Sequence, residues 1–158
     1  MTTSTYAIAI GSNRRGRHGA PVAEVRAAIA TLEGVRAVAP ILASAPLGPS
    51  LRRYANTVVL LDSPLRPDAL LRRLKAVERR FGRRRGRRWG SRVIDLDIVA
   101  WGGGCWRSPG LVVPHVAFRE RDFVLRPFAA IAPDWRDPVS GRTIAQLRRL
   151  LDQPRPRA

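Results

Sequence analysis

Residues 93–101 constrain the fold more than any other stretch of this chain, because apolar and acidic side chains alternate along the sequence VIDLDIVAW. Successive side chains of a β-strand point to opposite faces of its sheet, so the apolar set and the acidic pair fall on different faces. The apolar set is Ile94, Leu96 and Ile98, and the acidic pair is Asp95 and Asp97. We therefore predict a strand with one buried face and one acidic face, its two carboxylates roughly 7 Å apart.

Three strands and two helices are predicted before this strand. Apolar, partly β-branched segments bounded by turn residues predict strands over residues 6–10, 35–44 and 54–62. Each helix has apolar residues at helical spacing, starts at a proline and is closed by a glycine. The limiting residues are Pro21 and Gly34 for the first helix, and Pro67 and Gly82 for the second.

The order of these elements, βαββαβ, predicts an α+β fold of the ferredoxin-like class. In that pattern an antiparallel sheet carries its helices on one face. C-terminal additions follow this core, among them a short helix from Thr143. No linker, repeat or low-complexity block divides the sequence, so residues 1–158 are expected to form a single domain.

Composition narrows the classes of function. No apolar run approaches the roughly 20 residues that cross a bilayer, and the first residues predict a strand and not a signal peptide. The single cysteine, Cys105, excludes an internal disulfide and a cysteine-based zinc site. We therefore expect a cytoplasmic protein that does not bind a membrane.

The formal net charge of +17 predicts attraction to anions, but it does not distinguish nucleic acid, anionic membrane and phosphate-rich small molecules. The placement of the charge is more informative, because six arginines directly precede the acidic pair: Arg83, Arg84, Arg85, Arg87, Arg88 and Arg92. Guanidinium groups bind phosphate oxygens in a bidentate manner, and paired carboxylates suit Mg²⁺. Together they favour phosphoryl or pyrophosphoryl transfer over a solvated acidic strand beside a basic loop.

Two other functions fit parts of the sequence. An RNA-binding ferredoxin-like domain would explain the basic charge, but the central strands lack the exposed aromatic pattern of such domains. Residues 11–18 have the two glycines of a phosphate-binding P-loop, yet Arg17 and His18 replace its lysine and its hydroxyl residue. We interpret residues 11–18 as a turn.

Several motifs, in order along nearly the whole chain, resemble those of the 6-hydroxymethyl-7,8-dihydropterin pyrophosphokinase family. They are AIAIGSN at 7–13, PLG at 46–48, YxN at 54–56, RWGSRVIDLDIV at 88–99, PH at 114–115 and RxFVLxPxxxIAP at 121–133. The resemblance implies transfer of the pyrophosphoryl group of ATP to the pterin, which releases AMP. It also implies a monomer with two Mg²⁺ ions and ATP as co-substrate, and no need for nucleic acid.

The resemblance also assigns roles to individual residues. Catalytic residues would be Arg83, Arg92, Asp95 and Asp97, with the two acids as metal ligands. Residues that bind ATP would be Lys75, Glu78, Arg85, Arg88, Trp89, Arg92, Ile98, His115 and Arg121. A solvated acid on the helix surface is the simpler interpretation of Glu78.

Residues that would bind the pterin are Ser44, Ala45, Leu47, Tyr54, Asn56 and Phe123. A flat polar heterocycle suits aromatic faces above and below it and an amide at its edge. The chain departs from the family pattern mainly on the adenosine side, at Lys75, Gly110, Val112 and Val116. These departures affect adenosine recognition and leave the acids and arginines intact.

Overall fold

The computed structural model describes residues 2–43, 53–82 and 93–154. Within them the chain forms seven strands, four α-helices and one 3₁₀ turn. The strands are β1 (Ser4–Ser12), β2 (Val35–Val38), β3 (Leu42–Ala43), β4 (Ala55–Ser63), β5 (Asp95–Trp101), β6 (Trp106–Ser108) and β7 (Leu111–Val113). The helices are α1 (Pro21–Thr31), α2 (Pro67–Arg80), α3 (Asp122–Ile131) and α4 (Ile144–Asp152), and the 3₁₀ turn is Phe118–Glu120.

The main sheet is antiparallel, with the strand order β2-β4-β1-β5, and the short strand β3 also pairs with β4. Strand β1 therefore lies between β4 and β5 and carries hydrogen bonds on both edges. Strands β6 and β7 form a separate two-stranded hairpin. This order brings the start of β4, the end of β1 and the start of β5 to the same end of the sheet.

One face of the sheet, which we call the closed face, packs against α1 and α2. Its core includes Tyr6, Ile8 and Ile10 from β1, and Leu96 and Ile98 from β5, all at most 2% exposed. The helices contribute apolar side chains at helical spacing: Val25, Ala28, Leu70, Leu74 and Val77. Alternation along β5 therefore buries the apolar set as predicted, and burial of such side chains supplies most of the folding free energy.

The other face, which we call the open face, packs against the C-terminal elements over part of its length. Its second core joins strand residues to α3 and α4 through Val58, Val99, Val124, Phe128 and Ile144. The prediction of helices on one face holds for α1 and α2 of the core, whereas the C-terminal additions, for which no face was predicted, cover the opposite face. No element was predicted for residues 122–131, which form α3.

The predicted helix limits are confirmed at both prolines and at Gly82, which follows the C-cap of α2, whereas α1 ends at Thr31, before Gly34. Pro21 and Pro67 occupy the first turns of α1 and α2. Gly34 has a φ of +75°, and a Cβ there would lie 2.1 Å from the carbonyl oxygen of Asp62. Only glycine tolerates both the left-handed backbone and this close approach, which lets the chain leave α1 and pair with β4.

The predicted strand over 35–44 is two strands, because the chain departs from the sheet at residues 39–41. The side-chain hydroxyl of Thr57 donates to the carbonyl oxygen of Ala39 at 2.9 Å, and Pro40 has no N–H to continue the ladder. Strand β5 begins at Asp95, two residues later than predicted. No helix in the described part of the chain is long and apolar enough to cross a membrane.

Candidate functional site

Helix α3 leaves one end of the open face uncovered, and polar side chains converge there from three strands. Gly11 of β1 pairs with Asn56 of β4 on one side and with Asp95 of β5 on the other. A Cβ on Gly11 would lie 2.7 Å from Oδ1 of Asn56, so this position accepts no side chain without displacing the amide. The absence of a side chain at Gly11 therefore leaves space between the amide and the carboxylate.

A cavity of about 440 Å³ occupies this end of the open face. It is lined by residues far apart in sequence, including Asn56, Asp95, Asp97, His115, Arg121 and Phe123. The structure thus brings together the predicted amide, the acidic pair and one predicted aromatic. Tyr54, the second predicted aromatic, is 45% exposed and precedes β4, and it does not line this cavity.

A second cavity, of about 680 Å³, lies between α2, β5 and the β6–β7 hairpin. Lys75 and Ile98, both predicted to bind ATP, line it together with the hairpin. Asp97 and His115 line both cavities. The two cavities therefore meet at Asp97 and His115, so that ligands bound in them would approach each other beside a carboxylate.

The acidic pair is unfavourable as an isolated pair of charges. Burial raises the pKa of Asp97, and the neighbouring Asp95 raises it further, while His115 and Lys75 oppose the rise. A divalent cation would remove this penalty, so the two carboxylates fit a magnesium site. Among the described residues no group of three His, Cys, Asp or Glu side chains is arranged to hold a metal. A cation here would therefore need further ligands from water and substrate, which is the usual habit of Mg²⁺.

Hydrogen bonds fix the orientation of His115 and select its tautomer. Its backbone N–H donates to the carbonyl oxygen of Val99 at 2.9 Å, and its Nδ1 accepts from the N–H of Ala117 at 3.1 Å. Burial lowers the pKa of His115, partly offset by Asp97, so the neutral ring is favoured at pH 7. With Nδ1 as acceptor, the neutral ring carries its proton on Nε2, which is suited to donate to an anionic ligand.

Glu78 is buried, so its interpretation as a solvated acid was wrong. The side chain is 1% exposed, and its Oε1 accepts from the backbone N–H of Leu96 at 2.9 Å. The ammonium of Lys75 donates to both carboxylate oxygens, at 3.1 and 3.2 Å. Glu78 therefore fixes the backbone of β5 between the two acids, a role that the sequence analysis missed. The available signal was its position four residues after Leu74, on the apolar face of α2.

The turn predicted for residues 11–18 is confirmed in its second half. Gly16 and Gly19 exchange backbone hydrogen bonds at 3.0 and 3.2 Å. The buried carboxylate of Glu24 accepts from the backbone N–H and Nδ1 of His18, at 2.6 and 2.9 Å. His18 thus closes the turn onto α1 and does not replace the magnesium-binding hydroxyl of a P-loop.

Eight predicted site residues lie outside the described residues, and their roles stay predictions. They are Ser44, Ala45 and Leu47, predicted to bind the pterin, and Arg83, Arg85, Arg88, Trp89 and Arg92, predicted to bind or act on ATP.

Known proteins resemble this chain in sequence over most of its length. The family model described as 7,8-dihydro-6-hydroxymethylpterin-pyrophosphokinase (HPPK) matches residues 7–133. A Pseudomonas aeruginosa protein named 2-amino-4-hydroxy-6-hydroxymethyldihydropteridine pyrophosphokinase is 40% identical over 146 residues, which cover 89% of this chain and 87% of that protein. The Synechocystis protein of the same name is 45% identical over 104 residues, covering 66% of this chain but 53% of the relative.

Solved structures share the fold at low sequence identity. The wild-type Plasmodium falciparum HPPK-DHPS crystal structure with STZ-DHP superposes with a TM-score of 0.74 at 12% identity, covering 94% of this chain. This chain spans 43% of that longer protein. The family match over residues 7–133 and the Pseudomonas aeruginosa relative, matched over most of its length, lead to one conclusion: the chain belongs to the 7,8-dihydro-6-hydroxymethylpterin-pyrophosphokinase family.

Proposed function

We propose that this chain transfers the pyrophosphoryl group of ATP to 6-hydroxymethyl-7,8-dihydropterin, a step of folate biosynthesis that yields the pterin diphosphate and AMP. The observation that carries this proposal is the meeting of two cavities at Asp97, beside Asp95 and His115. An acceptor and a nucleotide must be brought together next to a metal for such a transfer. Family membership supplies the chemistry that this geometry supports.

The pterin is placed in the first cavity and ATP in the second. Asn56 and Phe123 line the first cavity, where the amide can pair with the edge of the heterocycle and the ring can stack on it. Ile98 and His115 line the second cavity, where the Nε2 proton of the neutral imidazole can donate to the phosphates. Arg121 lies beside Phe123, its guanidinium 5.8 Å from the ring centroid, and faces the first cavity with a positive charge.

Asp95 and Asp97 are proposed to hold two Mg²⁺ ions between the two substrates. When bound, these ions neutralise phosphate charge and favour ionisation of the hydroxyl that attacks. The carboxylate of Asp97 supports this assignment, because burial and the neighbouring Asp95 raise its pKa and a cation would offset both effects. Glu78 holds the intervening backbone, so the spacing of the carboxylates does not depend on the ligands alone.

The reaction is proposed as in-line attack of the pterin hydroxymethyl oxygen on the β-phosphorus of ATP. The bond between that phosphorus and the oxygen bridging it to the α-phosphorus breaks, and AMP leaves with the electron pair. Positioning and charge neutralisation account for most of the rate enhancement in such transfers. Arg83 and Arg92, with the other predicted arginines, are proposed to neutralise the transferred group.

The remaining parts of the proposal concern the protein as a whole. We propose a single domain over residues 1–158, of the ferredoxin-like class, that acts as a cytoplasmic monomer without nucleic acid. The strand order β2-β4-β1-β5 supports the fold class. The RNA-binding alternative gains no support from the family match or from the relatives.

The proposal is tested by incubating the purified chain with ATP, Mg²⁺ and the hydroxymethyl pterin, and by quantifying AMP, ADP and pterin diphosphate. We expect AMP and pterin diphosphate in equal amounts, both dependent on the pterin and abolished by EDTA. ADP in place of AMP would show transfer of a single phosphoryl group. Absence of both nucleotide products, with a folded protein that binds ATP, would refute the assigned substrate.

A further inference from the structure

Three of the five polar side chains that line the second cavity form hydrogen bonds within the protein. Lys75 donates to both oxygens of Glu78, and the hydroxyl of Ser108 accepts from the indole N–H of Trp106 at 2.9 Å. His115 accepts at Nδ1 from the backbone, and Asp97 belongs to the acidic pair. The fifth polar side chain of the lining is Arg107. Among the residues that the structure describes, no acid forms an ion pair with its guanidinium.

Arg107 lies on the wall of the cavity because of the register of the β6–β7 hairpin. It is directly opposite Val112, so the two side chains project from the same face of the hairpin. Both residues are exposed, and both line the second cavity. The opposite face of the hairpin carries the buried Leu111 and Val113. The hairpin thus fixes the backbone beneath Arg107 while leaving its charge accessible.

The rest of the hairpin wall offers a nucleotide little charge. Gly110 has no side chain, and Val112 and Val116 are apolar, so the side chains at these three positions offer a phosphate neither charge nor a hydrogen bond. An anionic ligand in this cavity gains most from a guanidinium that has no competing carboxylate. Arg107 meets that requirement, whereas the charge of Lys75 is already compensated by Glu78.

We propose that Arg107 is a nucleotide-binding residue whose guanidinium contacts the phosphate chain of ATP in the second cavity. The proposal rests on the proposed function, which places ATP there. Arg107 then supplies, on the same wall of the cavity, the charge that Gly110 and Val112 do not carry. Because the contact is electrostatic, it strengthens binding of the triphosphate and adds little to binding of the uncharged nucleoside.

The test compares Arg107→Ala, Arg107→Lys and the wild-type chain by titration with Mg²⁺ and α,β-methylene-ATP. Adenosine is measured in parallel by competition against a fluorescent ATP analogue. Arg149→Ala on α4 is the matched control, since it removes an equal charge from an exposed position that lines neither cavity. Thermal melting of each variant checks that the fold is retained.

We expect Arg107→Ala to weaken binding of the analogue about tenfold, as for loss of one charge-assisted contact at an exposed site. Adenosine binding should change less than about twofold. The affinity of Arg107→Lys for the analogue should lie between those of Arg107→Ala and the wild type, and the affinity of Arg149→Ala should equal that of the wild type. An unchanged affinity of Arg107→Ala for the analogue, or an equal loss for adenosine, would overturn this proposal alone. A wild-type chain that binds no analogue would overturn the proposed function as well.

Discussion

The two faces of the main sheet are formed by the same strands but have different roles: the closed face stabilises the fold, and the open face borders the candidate site. On the closed face, Leu96 and Ile98 are sealed under α1 and α2 and contact other apolar side chains. On the open face of the same strand, Asp95 and Asp97 border a cavity, and burial raises the pKa of Asp97. Neighbouring positions of β5 therefore have opposite effects on stability. The apolar side chains on the closed face stabilise the fold, whereas the carboxylate of Asp97 on the open face destabilises it.

This difference shows how the chain tolerates two neighbouring carboxylates. The closed face supplies enough apolar burial to hold β5 in register, so the cost of the acidic pair does not unfold the strand. Glu78 links the two faces, because it packs on the closed side yet binds the backbone N–H between the acids. Substitutions at Asp97, Leu96, Glu78 and Asp137 test this division, with expected effects that decrease in that order.

The largest effect is expected for Asp97→Asn, which removes a carboxylate from the open face. The turnover number should fall about 10³-fold, because a proposed metal ligand is lost. Thermal stability should stay equal or rise slightly, since repulsion from Asp95 disappears. Steady-state AMP formation and calorimetric melting measure the two quantities, with Asp95→Asn as the companion variant. Full activity, or a large loss of stability, would contradict the division between the faces.

The converse change is Leu96→Ala, on the closed face of the same strand. The free energy of unfolding should fall by about 3 kcal/mol, through lost apolar burial and the cavity that remains. Turnover per folded molecule should change far less than in Asp97→Asn, because the carboxylates keep their strand. Denaturant titration and kinetics at low temperature measure these effects, and Leu96→Met is the volume-conserving control. A fall in turnover comparable to that of Asp97→Asn would break the comparison.

Glu78→Ala should affect both faces at once. The N–H of Leu96 loses its acceptor, which should lower the free energy of unfolding by about 2 kcal/mol. The KM for Mg²⁺ should rise because the backbone between the acids is less constrained. Glu78→Gln keeps an acceptor oxygen and should retain most of both quantities. If Glu78→Ala and Glu78→Gln have the same KM for Mg²⁺, the link between the faces is not through this hydrogen bond.

The smallest effect is expected from the ion pair between Asp137 and Arg119, which lies within the C-terminal elements that cover the open face. Burial would raise the pKa of Asp137, but hydrogen bonds from Arg119, at 2.6 and 2.8 Å, and from Ser140 and the Val139 N–H hold it well below its usual value. Asp137 therefore binds a proton more readily in the unfolded chain than in the folded protein. The resulting stability is complete above about pH 5 and is lost as pH falls through the folded pKa.

Replacement by asparagine provides the measurement for this pair. Asp137→Asn should lower the free energy of unfolding by about 1.5 kcal/mol at pH 7 and reduce its decline between pH 5 and pH 2. Urea titrations across that range give both values, and Asp134→Asn serves as a control because that carboxylate has no ion pair among the described residues. An unchanged pH dependence in Asp137→Asn would show that this pair does not anchor the C-terminal elements.

Local patterns predicted the parts of the fold that depend on neighbours in sequence. Alternation placed the apolar and acidic residues of β5 on opposite faces, the prolines gave the starts of α1 and α2, and Gly82 gave the end of α2. The same reasoning missed α3, partly because Pro127 lies inside that helix and removes one backbone hydrogen bond. Packing of Val124 and Phe128 on the open face compensates for that loss, and only the folded chain provides this contact.

The residues of the candidate site also fall into two groups, those that local patterns predicted and those that depend on contacts between elements. The acidic pair and the family motifs pointed to Asp95 and Asp97 because their spacing is local. Glu78 is buried, and Arg107 lies opposite Val112, because of contacts between elements. Such contacts leave no periodic pattern in the sequence. The first cavity also depends on where α3 begins across the sheet, since Phe123 and Val124 of its first turn line that cavity.

The sequence by itself determined which side chains share a face of β5, where α1 and α2 begin, and to which family the motifs correspond. Tertiary structure decided which elements cover each face, and it left one end of the open face exposed. The physical reason is that strand and helix periods are set by backbone geometry, whereas coverage depends on the packing of residues distant in sequence. The acids were predictable from the sequence, but the two cavities that meet at Asp97 and His115 required the fold.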